Sequence, residues 1–364
     1  MPYTLLALCA RLNGSDTQHQ QLIDAAKTIT NWPDLIKQAE QNSLGPLVYT
    51  HLRAANALLP KESFRELQGL YLRHQHANRV RGEMLAQILV TYQEAGIEAL
   101  VLKGAALAHI SYPRPGLRPM RDIDLLVKES QMWQAQGVLE GLGFNAPQSF
   151  PGKDSHHHLA VASKQVEGFQ VSVEVHHNLF LERIEQSMSF EELSVDPLQF
   201  TLPSGVKAQT LGYEDMLWHI CLHIAQISQS FRLIWVTDVV GFAEKFATEI
   251  NWQRVRQDYP RVIEILALFH HITPLSDTLQ QQAAIKVGRP PQDIGREFGG
   301  WPRYSIEVMR RSKSYPQILR DTLFPPEWWL CLYHGTSTGS SLDYYRRVGH
   351  PLHILGFAAQ LLQK

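Results

Sequence analysis

Residues 1–95 repeat apolar positions at helical spacing. Leu22, Ile23, Ala26 and Ile29 form one run, and Leu35, Ala39 and Leu44 form another after Asn31-Trp32-Pro33, which reads as a cap and first turn. Gly45-Pro46 interrupts, and Leu47 to Leu59 takes up the pattern again as far as Pro60. Phe64 to Glu94 is a single long run. Leu67, Leu70, Tyr71, His74, Ala77, Val80, Met84, Leu85, Ile88 and Leu89 fall on one broad stripe, as in a helix that buries one face. Gly96 then ends the helical period.

From there the pattern alternates. Ile97–Leu102 reads as a buried strand, Ala105–Ile110 as a short helix, and Ser111–Met120, with Pro113, Pro115, Pro119 and Gly116, as a constrained loop. Arg121–Val127 reads as a strand and Gln131–Leu142 as a helix. His156–Ser163 and Phe169–His177 read as strands around a Lys164–Gly168 turn, and a further hairpin surrounds Pro203-Ser204-Gly205. Helical spacing returns over Glu214–Gln226, Leu233–Phe246, Val262–Ile272 and Leu352–Leu362. The whole predicts an α/β (α+β) chain with a mixed β-sheet core over 96–212, flanked by helical N-terminal (1–95) and C-terminal (213–364) regions.

Composition narrows the function classes. With 364 residues, 44% hydrophobic and 19% charged, the chain can bury a substantial core and is not globally disordered. The 34 basic and 35 acidic residues leave a net charge of −1, which argues against long nucleic acid as a partner. Cys9, Cys221 and Cys331 stand far apart in no metal or redox spacing, as suits free thiols in a reducing cytoplasm. The opening MPYTLLALCARLNG has no basic stretch before its apolar run and is not read as a signal peptide. No apolar stretch approaches the roughly 20 residues needed to span a bilayer. Trp301, Trp328 and Trp329 read as packing residues. Nothing in the sequence sets the oligomeric state.

The chemistry concentrates in Leu102–Val127. If Arg121–Val127 is a strand, Asp122 and Asp124 leave the same face while Ile123 and Leu125 enter the core. Carboxylates held this close repel unless a cation lies between them, and hard ions such as Mg²⁺ are held by one or two carboxylates together with substrate phosphates. Lys103-Gly104-Ala105 follows a strand and opens a helix, where backbone N–H groups meet phosphate. In Phe169–His177 the valines take one face, and Ser172, Glu174 and His176 take the other. If that strand lies beside the aspartates, Glu174 becomes a third carboxylate, either completing a site for two divalent ions or acting as a general base. His176 reads as a partner of Glu174 or a phosphate contact. Strand alternation also puts His156 and His158 on one face, but no H-E-x-x-H or cysteine pair supports a zinc site.

Gly104-Ala105, Asp122-Ile123-Asp124-Leu125 and Glu174 together resemble the nucleotidyltransferase superfamily with the DNA-polymerase-beta-like fold. LKGAAL, LRPMRDIDLLV and VEVHHNLF are similar, more narrowly, to an uncharacterised bacterial nucleotidyltransferase family sharing Leu-Lys-Gly, an Arg before Asp-x-Asp, and Glu-x-His. RLIWVTDVVGF and LFPP are weaker echoes. The resemblance implies Mg²⁺, with Mn²⁺ as the alternative, and a nucleoside triphosphate such as ATP as substrate. A nucleotidyl group would pass to a hydroxyl on a small molecule, sugar or protein, with pyrophosphate released. The resemblance gives Asp122, Asp124 and Glu174 the catalytic and metal-binding roles and sets the nucleotide at Gly104 and Ala105, while Lys103, Arg118 and His176 are read from their own charge and position as further nucleotide contacts. Two features depart from the superfamily: Ala105 replaces the usual small hydroxyl residue, and a long loop bearing Arg114, Arg118 and Arg121 precedes Asp122. Three rival readings stand beside transfer to a small molecule. They are a nucleotide sensor without turnover, a metal-dependent hydrolase, and a modifier of protein or tRNA.

Overall fold

The computed structural model describes residues 2–147, 157–180, 188–226, 231–290, 314–325, 327, 330, 334 and 340–362. His156, Trp301, Trp328, Trp329 and Cys331 lie outside the described residues. The chain divides into two compact units, one built from Met1–Ser63 and Ile220–Lys364 and the other from Phe64–His219.

The first unit starts with α1 (Pro2–Cys9), α2 (Asp16–Lys27), α3 (Trp32–Gln41) and α4 (Gly45–Ala54). Their ends follow local chemistry. Ser15 and Gln18 close a reciprocal capping box on α2, and the Asn31 side chain accepts from Asp34 N at the start of α3. Gly45-Pro46 forms the first turn of α4, where proline's missing N–H costs nothing.

The second unit contains most of α5 (Lys61–Glu94), then β1 (Ala99–Val101), α6 (Lys103–Ile110), β2 (Asp122–Val127), α7 (Met132–Gly141), β3 (Ala162–Val166), β4 (Phe169–His176), α8 (Phe190–Leu193), β5 (Leu198–Thr201) and β6 (Lys207–Thr210). Four strands form one sheet in the order β1-β2-β4-β3, and β5 pairs with β6. β2 is antiparallel to β1 and parallel to β4, and β4 is antiparallel to β3, so the sheet is mixed as the alternating pattern predicts. Val171, Val173 and Val175 are fully buried on one face of β4. Each contributes roughly 1.5–3 kcal/mol by leaving water. A slip of one residue would turn all three outward, which fixes the register.

One hairpin differs from the sequence expectation. β3 begins at Ala162 and continues through Val166, so Lys164 lies inside the strand. The turn is Glu167-Gly168 alone, both with positive φ (47° and 78°), the geometry that two-residue hairpins select. His158 is not in a regular strand but makes a single bridge to His176.

α5 also fastens the proline loop. Asn78 Nδ2 donates to Pro115 O at 2.6 Å and to Arg118 O at 2.7 Å. At Gly116 a Cβ would come within 2.9 Å of the Gln75 Cα, so only glycine allows this approach. The intervening residues form one 3₁₀ turn, Pro115–Leu117.

The chain continues through α9 (Tyr213–Gln226), α10 (Leu233–Lys245), α11 (Trp252–Asp258), α12 (Pro260–Phe269) and α13 (Asp277–Ala283), with later helices at Tyr315–Leu323, Ser340–Tyr344 and His350–Leu362. Within the first unit Asn42 ties the end of α3 to α10: its side-chain oxygen accepts from Leu233 N at 3.1 Å and its carbonyl from Ile234 N at 3.3 Å. Among the described residues no helix is long and apolar enough to cross a membrane.

Replacing Asn78 with alanine strands the Arg118 carbonyl and leaves Pro115 O with only its bond from Arg118 N. The expected loss is about 1–3 kcal/mol of unfolding free energy, read from urea titration. An unchanged midpoint would show that the loop is held by something else.

Candidate active site

Asp124 faces Glu174 directly across the parallel β2/β4 pair, and Asp122 faces Ser172. Asp124 is almost wholly buried, while Glu174 is half-buried. The chain leaving β1 passes beside them. Leu102 N donates to Asp124 O at 2.9 Å, and Lys103 Nζ donates to Asp124 Oδ1 at 2.8 Å. Lys103 holds a φ of 46°, a left-handed conformation costing a non-glycine residue on the order of 1 kcal/mol. Such strain persists where the surroundings over-determine it.

His176 is fully buried at the end of β4. Its Nε2 lies 2.9 Å from Asp124 Oδ1 and 3.4 Å from Glu174 Oε2. An ionised carboxylate only accepts, so Nε2 carries the proton and donates. Lys103 and His176 thus converge on the same oxygen of Asp124. Its Oδ2 makes no hydrogen bond among the described residues, and Asp122 makes neither a hydrogen bond nor an ion pair there.

Electrostatics separate the two aspartates. Burial opposes ionisation of Asp124, but the Lys103 charge and the His176 hydrogen bond hold it well below the usual carboxylate range. Burial likewise opposes the charge on Lys103 and on His176. Attraction to Asp124 outweighs it for Lys103, and hydrogen bonds to Asp124 and Glu174 outweigh it for His176, so both are raised. Asp122 goes the other way, from 3.8 to about 6, through burial and then repulsion by Asp124 and Glu174. Lys103 and Arg118 pull Asp122 the opposite way without offsetting these effects. With Asp124 Oδ2 and Asp122 unengaged, the donor set of hard oxygens fits a divalent cation. The ligand atoms of Asp124, Glu174 and His176 lie within 4.8 Å of one another, and Asp122 falls outside that group.

Gly104 and Arg118 meet at the first turn of α6. A Cβ at Gly104 would lie 2.6 Å from Arg118 Nη1, so the missing side chain is what admits the guanidinium. Nη1 also donates to Pro119 O at 2.8 Å. Ala105 is buried in the same turn, whereas Arg114 and Arg121 are exposed. His157 and His158 pack their rings 5.2 and 5.1 Å from His176, and burial lowers the His158 pKa.

Two residues near the site escape the sequence reading. Asn78 and Arg81 sit on the same stripe of α5 as His74, Leu85 and Ile88. Polar residues interrupting an apolar stripe are the signal that marks them. Arg81 Nη2 donates to Gln170 O at 3.3 Å, two residues before the strand partner of Asp122.

The D-x-D strand beside a glutamate strand, with a Lys-Gly helix start, thus gathers Asp122, Asp124, Glu174, His176 and Lys103 into one acidic cluster. The chain belongs to the family described as uncharacterised nucleotidyltransferase, which matches residues 28–272. No curated protein matches it in sequence. Among solved structures, it is similar to the antibiotic-resistance factor ANT(2″)-Ia in solution (13% identity, 53% of this chain and 98% of that one, TM-score 0.36). It is also similar to crystalline ANT(2″)-Ia in complex with adenylyl-2″-tobramycin (12%, 46% and 90%, TM-score 0.34). A third is an antigenic nucleotidyltransferase-like protein from Paracoccidioides brasiliensis (15%, 58% and 95%, TM-score 0.38).

The raised pKa of Asp122 has a measurable consequence. Its cost to the metal-free fold is absent below about pH 4 and grows as pH rises through about 6. In the presence of a chelator, Asp122→Asn is expected to stabilise the protein at about pH 7.5 by on the order of 1–3 kcal/mol, with the gain fading toward pH 4. Calorimetric melting across that range checks it, and equal melting at the higher pH would overturn it.

Proposed function

We propose that the protein is a Mg²⁺-dependent nucleotidyltransferase of the DNA-polymerase-beta-like superfamily, moving a nucleoside monophosphate from a triphosphate to a hydroxyl on a small molecule, sugar or protein. The observation that carries this reading is the register that sets Asp124 opposite Glu174, beside a lysine at a glycine-bearing helix start. Asp122, Asp124 and Glu174 would hold the metal. When bound, a divalent ion there neutralises phosphate charge and acidifies the attacking hydroxyl.

The chain's own residues divide the remaining work. Lys103, the first turn of α6 at Gly104 and Ala105, and the Arg118 guanidinium supply positive charge and donors for the phosphates. His176 fixes the orientation of Asp124 through Oδ1 and leaves Oδ2 for the cation. Glu174, with its side chain 21% accessible against 4% for Asp124, would receive the acceptor proton. The acceptor oxygen forms a bond to the α-phosphorus as the bond from that phosphorus to the bridging oxygen breaks. Pyrophosphate leaves with the electron pair. All these residues lie within the 96–212 segment. Cys9 and Cys221 are free and buried, which supports a reducing, cytoplasmic setting.

A nucleotide sensor without turnover is the second reading. Ala105 favours it, because no side-chain hydroxyl stands in that turn.

The test is incubation with each labelled triphosphate, Mg²⁺ and a cell extract, reading released pyrophosphate and labelled acceptor. Asp124→Asn is expected to lower turnover at least about 100-fold while the protein stays folded by circular dichroism. Triphosphate binding with no pyrophosphate release selects the sensor reading, and no binding at all rejects both.

A further inference from the structure

α5 delivers one more charged group to this site from outside the 96–212 segment. Asn78 is spent on the proline loop, but Arg81, one turn later, spends only one of its donors on structure. Its Nη2 donates to Gln170 O at 3.3 Å. Its Nε is buried with no hydrogen-bond partner among the described residues, and Arg81 forms no ion pair among them. The charge that acts on it is Asp122, at the first position of β2. Gln170 precedes Ser172, the residue opposite Asp122, so the guanidinium sits at the Asp122 end of the paired strands while Lys103 sits at the Asp124 end. Two cations from different helices therefore bracket the acidic cluster.

A half-buried guanidinium that makes one hydrogen bond and encloses an unpartnered Nε–H carries a desolvation cost, which acceptor oxygens reaching its remaining Nη–H groups would offset. Asp122 does not, since no ion pair forms. A phosphate chain does. Its tetrahedral phosphates present pairs of oxygens that arginine's planar fork can meet two at a time and lysine's single amine cannot, and divalent cations at the cluster would offset the repulsion of its carboxylates. We propose that Arg81 binds the phosphate chain of the nucleotide, gripping it from the side opposite Lys103. This rests on the nucleotidyltransferase reading and adds to it a phosphate contact contributed by the long helix that precedes the sheet.

The experiment is calorimetric titration of the full chain, in Mg²⁺, with inorganic tripolyphosphate and with a non-hydrolysable nucleoside triphosphate. Arg81→Met is expected to weaken both ligands by about 10- to 100-fold, and Arg81→Lys to fall between it and the wild type. In turnover the nucleotide KM should rise more than kcat falls. Arg81→Lys keeps the charge and stem, so its melting should stay native, and its affinity decides the matter if Arg81→Met fails to fold. Wild-type affinity retained in the folded variants, with binding lost in Asp124→Asn, would overturn the assignment to Arg81 and leave the nucleotide reading standing. Failure of the wild type to bind either ligand would overturn both.

Discussion

Asp124 keeps its charge where almost no water reaches it, and its neighbours are arranged around that fact. An isolated buried carboxylate is untenable and would take up a proton instead. Here Lys103 and His176 both donate to one of its oxygens, and their combined effect exceeds the desolvation cost. The arrangement exacts strain elsewhere, in the left-handed backbone of Lys103. Asp122, two residues away, lacks such hydrogen-bond partners, and burial with repulsion by Asp124 and Glu174 makes it harder to ionise. The two carboxylates therefore differ in kind: one is a fixed anion with a free oxygen, the other a group that resists ionisation.

Much of this was legible in the chain before any coordinates. The two-residue period of strands puts Asp122 with Asp124, and Glu174 with His176, whatever the fold around them. What the period could not give is register, because Asp124 opposite Glu174 depends on how β2 and β4 pair across fifty intervening positions. The β3 boundary slipped for a related reason. Lys164 is polar and reads as a turn, yet it pairs with Val171 inside the hairpin, and its amine reaches Leu142 O at 2.7 Å. A tertiary hydrogen bond to a backbone carbonyl leaves no trace in local pattern.

The part least legible was α5. Its apolar stripe reads correctly as a buried face, and that reading absorbs Asn78 and Arg81 without remark. The structure shows the stripe to be composite. Its apolar positions pack, while Asn78 anchors the loop that carries Arg118, and Arg81 reaches β4. The same helix therefore sets the position of the loop entering β2.

The contrast between the two routes into the site bears on how such a chain can vary. On the β2/β4 route, core and chemistry share one register. A single inserted residue in β4 would bring the valines to the surface and move Glu174 off the acidic face together, so altered chemistry cannot be sampled there without unfolding. On the proline-loop route, the anchors are two carbonyls held by one asparagine and one glycine contact, while Arg114 and Arg121 point outward. Those exposed positions are open to substitution at little cost to the fold. The molecule thus separates an acidic cluster that cannot vary without the core from a rim that can.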